Sequence, residues 1–83
     1  MRLSELTVGA GGTVKAVGGQ GALRHRLLEM GLTPGTRVSV VRRAPLGDPM
    51  ELRLRGYTLS LRAEEAAQIE VVSDREGRRP EWV

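Results

Sequence analysis

Apolar and polar residues alternate most regularly along Met50-Glu51-Leu52-Arg53-Leu54-Arg55, which predicts a strand with one face turned to a core. Tyr57 to Leu61 alternates again, and Gly56 between the two runs permits a tight reversal, so the pair predicts a hairpin. Thr36 to Arg43 reads as a strand with Val38 and Val40 on one face and Arg37, Ser39, Val41 and Arg43 on the other. Thr13–Val17 and Ile69–Val72 predict the first and last strands. Between Ala22 and Met30 the period changes. Leu23, Leu27 and Met30 recur at helical spacing, Leu28 widens the stripe, and Gly31 follows where a left-handed residue ends a helix. So short a helix must be docked on the sheet to persist. Leu3–Leu6 predicts a brief opening element, and Arg62–Ala67 has room for one helical turn.

About five short strands with one inserted helix predict a mainly β fold. Strands of this length expose edges unless the sheet curls, so closure into a small barrel is expected. Leu6, Val14, Val38, Val40, Met50, Leu52, Leu54, Leu59, Leu61, Ile69 and Val71 are the expected inward positions. One domain over residues 1–72 and a charged, patternless tail over 73–83 complete the expected organisation.

Composition narrows the chemistry. The 83 residues include no cysteine, which removes disulfides and thiolate sites, suits the cytoplasm and leaves packing to hold the domain. No apolar run approaches the ~20 residues a membrane-spanning helix requires, and Met1–Leu6 lacks the apolar stretch of a signal peptide. Thirteen basic residues, all but Lys15 arginine, face ten acidic ones, a net charge of +3. Arg37, Arg43, Arg53 and Arg55 are expected to share an outward face. Aromatics are only 2% of the chain, however, so this face has no stacking platform for single-stranded nucleic acid and no aromatic slots for proline-rich peptides. A plain solvated face, or one for an acidic protein partner, suits it better than nucleic acid.

Candidate chemistry is sparse. His25 and Glu29 lie four apart on one helix face and could offer two ligands to a divalent metal, fewer than a closed site needs. Gly18-Gly19-Gln20-Gly21 lies between a strand and a helix but lacks a phosphate-loop ending, which favours a connector. No serine or threonine has a histidine partner outside the helix, so catalysis has no support and no cofactor is expected. Two stiff loops with apolar members, Leu32-Thr33-Pro34-Gly35 and Ala44-Pro45-Leu46-Gly47-Asp48-Pro49, remain as surfaces that could bind a partner at low ordering cost.

The run Arg26-Leu27-Leu28-Glu29-Met30-Gly31-Leu32-Thr33-Pro34-Gly35-Thr36, followed by Ala44–Pro49, Gly56–Arg62, and Glu65-Ala66 with Ile69-Glu70-Val71, resembles the FeoA family of small bacterial ferrous iron transport proteins. The likeness spans Leu3 to Val72. It implies an SH3-like β-barrel and a cytosolic, non-enzymatic accessory to FeoB, the ferrous iron transporter with a GTPase domain. Such an accessory would reach the membrane only through the transporter. Leu27, Met30, Leu32, Pro34 and Leu46 are the candidate apolar anchors for docking, with Arg53 and Arg55 steering toward an acidic or phosphate-rich partner. Leu27 and Met30 could equally belong to the core. The same barrel resembles the C-terminal domain of diphtheria-toxin-repressor-type metalloregulators, which makes a metal-responsive regulatory domain the alternative. The chain is expected to be too short for that context, since 83 residues leave no room for a DNA-binding region. Weak self-association through an edge strand stays open.

Overall fold

The computed structural model of the chain describes residues 1–74. A short 3₁₀ turn, Leu3–Glu5, leads into β1 (Gly11–Val17), α1 (Gly21–Glu29), β2 (Arg37–Arg43), β3 (Met50–Leu54), β4 (Tyr57–Leu61), the single-turn α2 (Ala63–Ala66) and β5 (Ile69–Ser73). All five strands join one antiparallel sheet in the order β4-β3-β2-β1-β5.

The mainly β class, the strand count and the inserted helix are those expected from the alternation. Closure is different. β4 and β5 are the two edges, and no hydrogen-bonded ladder joins them. α2 connects these edges and packs, with β5, against the Leu3–Glu5 turn, and the fully buried Leu3 and Ala66 contribute to the core beside this seam. Side-chain packing thus takes the place of the expected hydrogen-bonded seal.

The core matches the expected inward set. Leu6, Val14, Val38, Val40, Met50, Leu52, Leu54, Leu61, Ile69 and Val71 are buried, and Leu59 packs against them half-buried. Burial of about fifteen apolar side chains is the dominant stabilising term, since the fold has no covalent staple. Leu23, Leu28 and Met30 of the helical stripe lie against this core while Leu27 enters it.

Most boundaries shift by a residue at most, and two of the differences bear on packing. β1 begins at Gly11 because Gly12 sits where Val72 O passes 2.7 Å from the place a Cβ would occupy, so only glycine lets β1 and β5 approach. At the other end, Ser73 pairs with Gly12 as the last residue of β5, and Asp74 accepts two hydrogen bonds from the Arg37 guanidinium at 2.9 and 2.7 Å. The expected tail therefore starts later than Ser73, and its remainder, 75–83, lies outside the described residues.

A third difference is a bulge. The β2–β3 register shifts between Val40 and Arg42, which breaks strict alternation after Val40. Val41 is left exposed, Arg42 pairs with Glu51 at 2.9 Å, and Arg43 turns inward rather than outward. Its guanidinium donates to Ser4 O (2.7 Å), Leu6 O (2.6 Å) and, at 3.4 Å, Gly47 O. Arg43 is a clamp between the N-terminal segment and the 44–49 loop, not part of a basic face.

Candidate functional site

The candidate anchors do not form one surface. Leu27 and Leu32 have no exposed area and are removed from it. The reason lies in how α1 ends. Gly31 adopts φ +99°, and Leu32 N–H donates back to Leu27 O at 3.2 Å, which folds Leu32 under the helix into the core. Met30 is half-buried against the same core, Pro34 is exposed on the turn before β2, and Leu46 is 97% exposed.

Pro34 and Leu46 lie at opposite ends of β2, a strand of seven residues, or roughly 20 Å at the usual rise per residue. Around Pro34 the polar groups are mutually engaged. Arg55 donates to Thr33 Oγ1 (3.0 Å) and Thr36 Oγ1 (2.9 Å), and those two hydroxyls bond each other at 3.0 Å. Tyr57 Oη donates to Met30 O, satisfying one of the carbonyls that a helix end leaves unpaired. This end of the molecule is therefore closed on itself. The tyrosine contact escaped the sequence reading. The signal for it was an orphan carbonyl group before Gly31 together with a lone aromatic opening a strand.

Around Leu46 the arrangement is open. Arg43 and the Asp48 carboxylate, which accepts from Ala63 N–H at 2.9 Å, fix the base of the loop, while its tip carries Leu46 into solvent. Two adjoining hollows of about 470 and 310 Å³ run beneath the loop and share Pro49 and Ser60 as walls.

The expected arginine face is broken up. Arg37 is held by Asp74, Arg43 by backbone carbonyls and Arg55 by two threonines. Arg53 extends into solvent from the outer face of β3. His25 Nε2 lies 2.7 Å from Glu29 Oε1, with both side chains mostly exposed. They are a pair, and no group of three or more such ligands occurs among the described residues. The Gly18–Gly21 connector is tied down where Gly18 N–H donates to Gln68 O at 2.6 Å and Arg24 Nε donates to Val17 O at 3.2 Å. No described helix is long and apolar enough to cross a membrane.

Comparison with known proteins decides the family. Residues 1–73 match the FeoA domain profile. The chain belongs to the FeoA family. It is 49% identical over 71 residues, 86% of its length, to the Fe(2+) transport protein A/Fe(2+) transporter FeoB fusion protein of Porphyromonas gingivalis, of which it spans only 8%. The solution structure of FeoA from Chlorobium tepidum superposes with a TM-score of 0.79 at 44% identity, covering 86% of this chain and 68% of that one. FeoA of Stenotrophomonas maltophilia in complex with zinc, described as a prokaryotic SH3 domain protein, gives 0.76 at 31% identity over 86% of this chain and 88% of that one. This FeoA-family chain is thus a small SH3-like fold. A manganese-dependent transcriptional repressor shares that fold too (TM-score 0.79, 88% of this chain, 41% of that one), and at 22% identity the likeness extends to the fold alone.

Proposed function

We propose that this chain is a non-enzymatic accessory of ferrous iron uptake, which docks from the cytoplasm on the cytosolic region of a FeoB-type transporter and modulates it. One observation carries the reading. In the P. gingivalis relative an FeoA segment and a FeoB transporter are one polypeptide. Tethering holds two modules at an effective concentration of order mM, and it is useful only where the modules meet. The S. maltophilia relative has been put forward as a ferrous iron transport activating factor, which agrees with such a role. In this reading ferrous iron is the transporter's cargo and the chain acts by contact. The open end around Leu46 supports docking there, because a fixed loop base with an exposed apolar tip loses little conformational freedom on binding.

Calorimetric titration of the chain against the purified cytosolic region of the FeoB-type transporter from the same genome tests this. Saturable binding with a Kd of tens of micromolar or tighter is expected, and Leu46→Asp is expected to weaken it at least about tenfold. No heat of binding at ~100 μM of both proteins would overturn the proposal.

A further inference from the structure

The two edges of the sheet are treated differently. β5 is covered by the chain's own start: Val71 N–H donates to Met1 O at 2.7 Å, the Met1 amine donates to Val71 O at 3.2 Å, and Arg2 bridges to Glu70. Among the described residues β4 has no such cover. Its hairpin with β3 turns on Arg55 and Gly56, both at positive φ (48° and 83°), a two-residue reversal that makes Leu54 and Tyr57 the first hydrogen-bonded pair. Alternation along the ladder then sends the N–H and C=O of Thr58 and Ser60 away from β3. No backbone partner meets them among the described residues. Nor does β4 carry the usual protections of an edge: Tyr57-Thr58-Leu59-Ser60-Leu61 has no charge, no proline and no bulge.

This bare edge opens on the two hollows beneath the Leu46 loop, of which Ser60 is a shared wall. Of the four arginines in their lining, Arg42 is paired with Glu51, Arg26 with Glu65, and Arg43 is committed to backbone carbonyls, which leaves the exposed Arg62 as the cation open to a partner. Arg53, exposed and across the ladder from Thr58, adds a second. We infer that β4 is a strand-acceptor edge that binds an extended, acidic segment of the partner by main-chain pairing with Thr58 and Ser60. The partner rests on the function proposed above. The hydrogen-bonding row gives affinity without reading sequence, and the arginines select for carboxylates. A second copy of this chain fits the edge less well. Antiparallel pairing of two β4 strands about Leu59 sets Arg62 of each copy beside the Arg55–Gly56 turn of the other, arginine against arginine.

Proline tests the edge itself, because at Ser60 or Thr58 it removes an outward N–H and leaves every ladder bond to β3 intact. With the transporter's cytosolic region as probe, Ser60→Pro and Thr58→Pro are each expected to weaken binding at least about tenfold, and Arg62→Glu to weaken it several-fold, with thermal unfolding of Ser60→Pro close to the parent. Should either proline variant lose its fold, amide exchange of the unaltered chain replaces it. Thr58 and Ser60 amides are then expected to slow at least about tenfold when the probe is bound. Wild-type binding that survives Ser60→Pro in a folded variant, or leaves those two amides unprotected, overturns the edge while sparing the proposed function. Absence of any wild-type binding overturns the partner itself. A dimer of the chain alone that Ser60→Pro dissolves overturns the acidic occupant.

Discussion

The two ends of β2 solve opposite problems with similar materials. At the Pro34 end, the close of α1, the Thr33–Thr36 turn and the β3–β4 hairpin converge, where Arg55 and the two threonines bond one another and Tyr57 bonds the Met30 carbonyl. At the Leu46 end, the polar contacts stop at the base of the loop and an apolar tip projects beyond them. The first arrangement converts side chains into rigidity, and the second keeps a rigid base under something exposed. The contrast shows that a candidate residue's role follows from whether its neighbours already satisfy it, rather than from its type.

The largest effect expected to test this contrast is at Leu32. It is fully buried beneath the Pro34 end, so Leu32→Ala should destabilise the chain by about 2–5 kcal/mol, read as a lower urea midpoint at unchanged slope. A cost below about 1 kcal/mol would mean that this end is less tightly built than its contacts suggest. Gly31→Ala comes next. Its φ of +99° disfavours any Cβ, and an added one would lie 3.3 Å from Tyr57 Oη, so a loss of about 1–3 kcal/mol and a displaced tyrosine ring signal are expected. Smallest is Leu46→Asp, where a side chain 97% exposed leaves stability within about 0.5 kcal/mol by thermal or urea unfolding. A larger cost there would erase the difference between the two ends.

Most of the fold was legible because each element obeys its own period. β3 and β4 alternate without interruption, the stripe from Leu23 to Met30 marks α1, and Gly31 and Gly56 take the positive φ that their turns require. What escaped depended on partners distant in sequence. The bulge at Val41 is a mismatch between two strands and has no local signature, yet it converts Arg43 from an outward residue into the clamp on Ser4 and Leu6. Gly11 and Gly12 fall outside the strand expected from Thr13 to Val17, until the carbonyl of Val72 shows why glycine is needed within it. The candidate site was legible in part. Apolar residues near turns were legible as a class, but periodicity alone could not separate Leu32, folded under a helix end, from Leu46, held off the surface. The bare edge of β4 was beyond reach for a different reason. Which strand lies outermost is a property of topology, and only the strand order and the cover over β5 reveal it.

The aromatic poverty of the chain has a practical consequence. There is no phenylalanine, and the one tyrosine bridges hairpin and helix through the Met30 carbonyl. Its ring resonances therefore share the aromatic proton spectrum only with those of Trp82 and His25, and report directly on whether α1 is seated. Helix docking can be followed in the unlabelled, unmodified molecule, by a probe the sequence already contains.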